Sequence, residues 1–371
     1  GRPFQVVGPV PERLLEVEEA ADVARARLVA EREAVTLFDL ASGPLLRSRL
    51  VRLGEGDHVL LLTMHHIAFD GWSRGVLLGE LGECYAALAA GREPVLPELP
   101  VQYADFAVWQ RSWLRGEVLA GHLDYWRDRL AGMPAAIELP FDRPRPEVLS
   151  HRGRVASFRV PAQVMAGLRE VGREQNATLF MVTLAAFQAL LSRYSGQQDV
   201  VVGSPIAGRI RPELKRLVGF FANTLVMRTD CSGDPSFTEL LGRVREVALG
   251  AYAHQDLPFE KLVEELHEQR DLSRNPLVQV MFQLYHSRGD WELRLPGVEV
   301  GWFQPDQATV RFDLEVLLQD GPDGGLEGSF IYSVDLFDHG TMERLAGNYA
   351  ALLAEVAADA ARPVSALVRP S

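Results

Sequence analysis

The stretch VLLLTMHHIAFDGWS, residues 59–73, decides the fold of this chain. Its apolar first half predicts a β-strand over residues 58–67 that has no solvent-facing side, which places the strand in the centre of a sheet. A GEGD turn separates this strand from another strand-like run at residues 46–53, and that composition predicts a hairpin. After the Asp-Gly pair the pattern becomes helical, from Trp72 to Ala90. The stretch therefore predicts a hairpin followed directly by a helix.

Helices and strands are interleaved along the rest of the chain, in its first half and again in its second. This pattern predicts a mixed α/β fold built as two lobes. Four prolines at positions 134, 140, 144 and 146 interrupt regular structure and predict the crossing between an N-terminal lobe, residues 1–150, and a C-terminal lobe, residues 151–371. Strands expected in the second lobe include residues 199–204, 220–228 and 298–302.

The composition excludes several classes of protein. With 371 residues, 47% of them hydrophobic, the chain can bury a large core, and a formal net charge of -12 argues against sequence-independent binding of nucleic acid. The two cysteines, Cys84 and Cys231, make no disulfide framework and no zinc motif. The chain starts without a charged-then-apolar leader. We therefore expect a cytoplasmic protein that holds no metal and binds no nucleic acid.

One segment raises the question of a membrane span. Residues 175–192 carry no charge. Polar side chains nevertheless interrupt the segment at Asn176, Thr178, Thr183 and Gln188. A buried helix in the core of a large globular protein explains this composition better than a bilayer crossing.

Two adjacent histidines at the end of a predicted strand are the candidates for chemistry. Successive strand side chains point to opposite faces, so one of His65 and His66 is expected to face a cleft while the other packs behind it. Asp70 can pair with an arginine or orient an imidazole, and Gly71 can bring a bare N–H close to a substrate. A lone strand histidine is usually an inert core residue. The pairing, the strand end and the Asp-Gly turn together favour a functional site.

This motif resembles a known family. HHIAFDG, residues 65–71, fits the HHxxxDG signature of the condensation domains of non-ribosomal peptide synthetases, which is shared with chloramphenicol acetyltransferase-like acyltransferases. Four further stretches resemble later motifs of the family in the same order: YADFAVW (103–109), VGFFANTLVMR (218–228), HQDLPFE (254–260) and RDLSRNPL (270–277). The segment around the histidines and the last two motifs are most similar to the subtype that joins two L-residues.

The chain departs from the family pattern at its start. Two motifs that the family carries on an initial strand and helix are not found before position 1. The resemblance therefore implies an N-terminally truncated domain, whose first lobe is incomplete and whose sheet has a place unfilled.

The resemblance implies a fold and a reaction. Two chloramphenicol acetyltransferase-like lobes would form a V-shaped pseudo-dimer around a tunnel. In that tunnel the amine of an acceptor aminoacyl group attacks the thioester of a donor aminoacyl or peptidyl group. Both groups arrive on the 4'-phosphopantetheine arms of an upstream donor and a downstream acceptor peptidyl carrier protein. The domain itself binds no cofactor, and an adenylation domain is expected beside it.

Roles for individual residues follow from the same resemblance. His66 is the tunnel-facing histidine and accepts a hydrogen bond from the amine, as a base or only as a positioning group. The Gly71 N–H stabilises the developing oxyanion. His65 and Asp70 are structural, and the arginine that pairs with Asp70 is either Arg209 or one that precedes this sequence. The expected tunnel lining comprises Met64, Trp72, Ser73 and Asn223.

Other interpretations of the same residues remain open. An epimerisation domain shares the histidine motif, although its GHGR-type segment is not found here, and heterocyclising relatives carry aspartates in place of the histidines. A non-catalytic module that docks carrier-bound enzymes is the alternative from another class. The remaining motif residues are expected to pack, cap helices or anchor loops, namely Tyr103, Asp105, Trp109, Phe220, His254, Asp256 and Arg270. The cationic cluster at Arg209, Arg211, Lys215 and Arg216 is either a solvated face or a surface for an acidic carrier protein.

Overall fold

The computed structural model describes residues 4–266, 273–285, 292–303 and 308–367. The chain divides into two compact units. The first comprises Gly1–Trp113, Arg209–Ala222 and Gly289–Gln307, and the second comprises Leu114–Gly208, Asn223–Arg288 and Ala308–Ser371. The mixed α/β class is confirmed. The units differ from the predicted division at residue 150, because the proline-rich stretch lies inside the second unit and the first unit takes back two later segments.

The first unit contains a three-stranded sheet formed by β1 (Leu15–Glu19), β2 (Leu46–Arg52) and β3 (His58–Met64), in that order. Strands β1 and β2 are parallel, whereas β2 and β3 are antiparallel, with Leu46 opposite Met64. The predicted hairpin is therefore present. The prediction of a central strand is wrong for the described residues, since β3 lies at the edge of this sheet and only its Val59 is buried.

The α-helices of the first unit's described residues are α1 (Val23–Val35), α2 (Gly71–Ala89) and α3 (Tyr103–Trp113). Asp22 caps the N-terminus of α1, and its carboxylate accepts a hydrogen bond from the Arg25 N–H at 2.7 Å. Its buried face, Ala26 and Val29, packs with Val51 and Val59 of the sheet in a small core. The sheet is thus covered on one side by α1.

The second unit is built on a seven-stranded mixed sheet. Its strands are β4 (Arg152–Val160), β5 (Asp199–Ile206), β6 (Asn223–Asp230), β7 (Val280–Tyr285), β8 (Ala308–Thr309), β9 (Leu314–Asp320) and β10 (Leu326–Ser333). They lie in the order β6-β5-β7-β9-β10-β4-β8. Strands β5, β7 and β9 pair in parallel, and the remaining neighbours are antiparallel. The helices are α4 (Gly116–Leu130), α5 (Ala162–Glu174), α6 (Leu179–Ser195), α7 (Phe237–Ala253), α8 (Phe259–Leu266), α9 (His339–Ala358) and α10 (Val364–Leu367).

Helix α6 forms the centre of the second unit's core. All side chains from Met181 to Leu191 are buried, which explains the uncharged stretch as the predicted core helix. Its N-terminus is capped by the Thr178 hydroxyl, and it ends at Gly196, whose φ of 71° is a conformation that glycine adopts without a Cβ penalty. Across the described ranges, no single helix combines the length and the apolar composition that a membrane crossing needs. Only α5 and α6 taken together satisfy both criteria, and they are bent by 103° relative to each other.

Two predicted strands differ from the structure. The strand expected over residues 220–228 begins only at Asn223, because Phe220 and Phe221 belong to the first unit, where Phe221 packs with Leu214 and Leu217. Residues 298–302 form no strand. In that region the described chain makes only an isolated bridge between Leu295 and Val298.

Candidate active site

The two histidines lie in a short turn rather than on the strand. Strand β3 ends at Met64, and the His65 N–H still bonds to the Leu45 carbonyl at 3.0 Å. His66 to Ala68 then form one turn of 3-10 helix, capped by the His65 Nδ1, which accepts from the Ile67 N–H at 3.1 Å. The prediction that strand alternation separates the two rings is therefore wrong. The capped turn separates them instead.

The hydrogen bonds of His66 define its tautomer. Its Nδ1 lies 2.7 Å from the Phe69 carbonyl oxygen, and because a carbonyl only accepts, Nδ1 carries the proton. In the neutral ring, Nε2 then holds the lone pair, and no polar atom of the described chain bonds to it. The half-buried ring packs edge-on against Phe220, with centroids 4.9 Å apart. His66 thus presents a proton acceptor, whereas the Nδ1 of His65 is already engaged by the Ile67 N–H of its own turn.

Asp70 is the N-cap of α2 and is almost completely buried. One carboxylate oxygen accepts from the Ser73 N–H at 2.9 Å, and the other accepts from Arg209 Nη1 at 2.7 Å and from the N–H groups of Phe221 and Ala222. Burial acts to raise the pKa of Asp70. The hydrogen bonds from Arg209, Ser73 and Phe221 outweigh that effect and hold the pKa below the ordinary value of 3.8.

Arg209 links the Asp70 cap to residues 209–222, the later stretch of chain that belongs to the first unit. Besides its ion pair with Asp70, it donates from Nη2 to the Ser73 hydroxyl at 2.8 Å, and its guanidinium lies over the Phe221 ring at 4.3 Å. The predicted pairing of Asp70 with Arg209 is therefore present. Ser73 was expected to line a tunnel, but its side chain is fully buried in this network and also bonds to the Gly219 carbonyl at 2.9 Å. This expectation is wrong.

The N-terminus of α2 presents backbone donors beside the histidine turn. Asp70 satisfies the Ser73 N–H, while the N–H groups of Gly71 and Trp72 have no hydrogen-bond partner within the described ranges. Such orphan donors at a helix N-terminus attract developing negative charge. Gly71 itself is an exposed residue. The sequence predicted a donor only at Gly71, and the start of α2 adds the Trp72 N–H.

The other expected lining residues have different surroundings. Met64 is half-buried at the end of β3, and the exposed Trp72 donates from Nε1 to the Lys215 carbonyl at 2.8 Å. Asn223, in the second unit, donates to the Gln255 and Leu257 carbonyls at 2.8 and 2.7 Å. All the polar atoms of its amide are engaged, since its oxygen accepts backbone N–H groups. Asn223 is therefore an anchor of the loop that precedes α8.

Most of the motif residues expected to pack or cap do so. The Asp105 carboxylate accepts from the Gln102 N–H at 2.8 Å, and the Tyr103 hydroxyl donates to the Phe220 carbonyl at 2.9 Å. That second bond holds the backbone of the residue whose ring contacts His66. The His254 ring stacks on Tyr125 with centroids 3.9 Å apart. Arg270 lies outside the described residues.

Comparisons with known proteins identify the family. The condensation domain family matches residues 1–371. A linear gramicidin synthase protein of Brevibacillus parabrevis is 48% identical over 377 residues, which cover 99% of this chain and 5% of that protein. The chain belongs to the condensation domain family of non-ribosomal peptide synthetases.

Solved structures share the fold. The X-domain in its complex with OxyB from teicoplanin biosynthesis superposes with a TM-score of 0.86 at 33% identity, over 98% of this chain and 80% of that one. Holo-AB3403, a four-domain non-ribosomal peptide synthetase bound to AMP and glycine, superposes with a TM-score of 0.83 at 26% identity, over 96% of this chain and 28% of that one. The chain thus spans a small part of the synthetases that it matches.

Proposed function

We propose that this chain forms an amide bond between a donor aminoacyl or peptidyl thioester and the amine of an acceptor aminoacyl thioester. The observation that carries the proposal is the pairing of two complementary groups in one short segment. In its neutral form His66 presents the lone pair of Nε2, and five residues later the N-terminus of α2 presents N–H donors at Gly71 and Trp72 that bond to no described group. The first group suits a nucleophilic amine, and the second suits a carbonyl oxygen that gains negative charge.

The reaction can be balanced with these groups alone. The acceptor's amine nitrogen attacks the donor carbonyl carbon while donating a hydrogen bond to His66 Nε2. The C–N bond forms, and the carbonyl oxygen becomes an oxyanion that accepts from the Gly71 N–H. Collapse of this intermediate breaks the C–S bond. The proton lost by the amine ends on the departing thiolate, directly or through His66, so the imidazole returns to its starting state.

The substrates define the partners. The two thioesters would be held on 4'-phosphopantetheine arms of an upstream donor and a downstream acceptor peptidyl carrier protein, with an adenylation domain as a neighbour in a cytoplasmic synthetase. The arms come with the carriers, so the domain needs no cofactor of its own. Tethering supports the proposal energetically, because it raises the effective concentration of the two reactants at the site. The sequence similarity to the subtype that joins two L-residues extends the proposal to substrate configuration.

The direct test combines the purified protein with one donor and one acceptor carrier protein, each loaded with an aminoacyl group. We expect a dipeptidyl thioester on the acceptor carrier, detected by mass spectrometry of the intact carrier. Loss of the α-deuterium label from a carrier-bound substrate without formation of a peptide would instead indicate epimerisation. A folded protein that gives neither product with several aminoacyl pairs would contradict the proposal.

A second candidate is a module that docks another protein. The observation that favours it is the structural likeness to the X-domain, which has been solved in a complex with OxyB. This alternative predicts binding of a loaded carrier protein with no dependence of product formation on His66. The substitutions at positions 66 and 71 therefore separate the two candidates.

Replacing Gly71 by proline removes the proposed oxyanion donor while keeping the helix start. Proline is favoured at the first position of a helix, and the preceding Asp70 has an extended backbone, with φ -130° and ψ 179°, that a following proline requires. We expect kcat for amide formation to fall by about 10²–10³-fold, as for removal of one oxyanion donor in other acyl-transfer enzymes. The measurement is the single-turnover rate with both carriers saturating.

Gly71→Ala is the matched control for that variant, because it adds a Cβ but keeps the N–H. We expect it to retain most of the wild-type rate. If the alanine and proline variants lose activity equally, the effect is steric, and Gly71 is not the donor.

A further inference from the structure

A mixed apolar and cationic surface surrounds the start of α2. Three large apolar side chains are exposed there: Trp72 at 44%, Ile210 at 56% and Val218 at 41%. Together with the exposed cations Arg211, Lys215 and Arg216 they form what we call the Trp72 surface. All six residues belong to the first unit.

Hydrogen bonds bring the members of the Trp72 surface together. The Trp72 indole N–H donates to the Lys215 carbonyl at 2.8 Å. Beneath it, Arg209 bonds to the Leu217 carbonyl at 3.2 Å, and the Ser73 hydroxyl bonds to the Gly219 backbone. The segment that carries Ile210 and Val218 is therefore fixed to the N-terminus of α2. The surface is preorganised, which lowers the ordering cost of binding a partner.

The charge of this surface opposes that of the whole protein. Residues 210–218 carry three cationic side chains and one acidic side chain, in a chain whose formal net charge is -12. Lys215 and Arg216 form no ion pair with any described residue, while the Arg211 guanidinium lies over the Trp109 ring at 4.8 Å. Cationic side chains that form no ion pair with described residues, beside exposed aromatic and aliphatic side chains, are typical of a docking surface for an acidic partner.

We infer that the Trp72 surface docks the donor carrier protein through acidic residues around its phosphopantetheine-bearing serine. This inference rests on the proposed function, in which the donor carbonyl reaches the Gly71 N–H. Trp72 follows Gly71 directly, so a carrier on this surface delivers its arm next to the oxyanion donors.

The test compares a carrier-bound donor with an untethered donor, the same aminoacyl group on N-acetylcysteamine. In the double variant Lys215→Glu and Arg216→Glu, we expect KM for the donor carrier to rise about tenfold, with the rate on the untethered thioester within twofold of wild type. Raising the salt concentration should raise KM of the wild type and change that of the variant little, because salt screens exposed charges.

Arg13→Glu combined with Arg92→Glu is the matched control. Both arginines are exposed residues of the first unit outside the Trp72 surface, and the change in net charge is the same. We expect KM for the donor carrier to change by less than twofold. Ile210→Ser tests the apolar part of the surface without any change in charge, and a KM increase of about threefold is expected.

Three results would overturn the inference: an unchanged KM for the donor carrier, an equal loss with carrier-bound and untethered donors, or a rise confined to KM for the acceptor carrier. Failure of the proposed function looks different. In that case, the wild-type protein would give no amide product from either form of the donor.

Discussion

His66→Ala should lower the rate of amide formation by about 10²–10⁴-fold, the range that a positioned general acid–base group contributes. The expected loss follows from the geometry of the ring. Phe69 fixes the proton on Nδ1, so Nε2 is the atom that can hold or take the amine proton, and alanine leaves that place empty. The ring is only half-buried, so the variant should keep its unfolding midpoint. The measurement is the single-turnover rate of dipeptidyl thioester formation by rapid quench.

His66→Gln separates the two roles open to the imidazole. A glutamine oxygen accepts a hydrogen bond but does not take a proton at neutral pH. A variant as slow as alanine would assign His66 as the base, and a large recovery would assign it as a positioning group. His65→Gln is the control, since that ring caps its own turn, and we expect less than a tenfold effect. If the activity of His66→Ala stays within threefold of wild type, His66 has no role in amide synthesis, and the docking module is favoured.

Arg209→Met should destabilise the protein by about 3–5 kcal/mol, the range for removing one partner of a buried ion pair. Both side chains of the pair are buried, and the substitution leaves the Asp70 carboxylate facing Phe221 and Ser73 without its cation. The variant should also lose activity, because the cap of α2 holds Gly71 in place. The free energy of unfolding is measured by urea denaturation, followed by circular dichroism.

The partner variant Asp70→Asn completes a double-mutant cycle. With a neutral side chain at position 70, removing the Arg209 guanidinium should cost much less than it does in the wild type. Additive losses from the two substitutions would show that the pair is not coupled and would contradict this account of the network.

The pH dependence of stability follows from the lowered pKa of Asp70. A carboxyl whose folded pKa is depressed contributes stability above its unfolded pKa, about 3.9. That contribution is lost as the pH falls through the folded pKa. We therefore expect the stability difference between the wild type and Asp70→Asn to stay constant from about pH 7 to 5 and to shrink below about pH 4. A difference that already shrinks at neutral pH would show that Asp70 is not held ionised.

The sequence by itself determined the features that depend on neighbouring residues. The alternation of apolar runs and turns predicted the β2–β3 hairpin, and an uncharged run predicted the buried helix α6. Local pattern suffices for these elements, because a strand pair joined by a short turn and an apolar helix are specified by contacts within one stretch of chain. The HHxxxDG stretch likewise placed the candidate site at His66 and Gly71.

Only the tertiary structure decided which groups meet from distant parts of the chain. Arg209 bonds to Asp70 across 139 positions, and Gly219 bonds to Ser73 across 146, so the burial of Ser73 could not be predicted from its neighbours. The same long-range contacts assign residues 209–222 to the first unit rather than to the second lobe. The ring contact between His66 and Phe220 is likewise made by residues far apart in the chain. Sequence patterns record the periodicity of an element, whereas burial and pairing depend on the segment that packs against it.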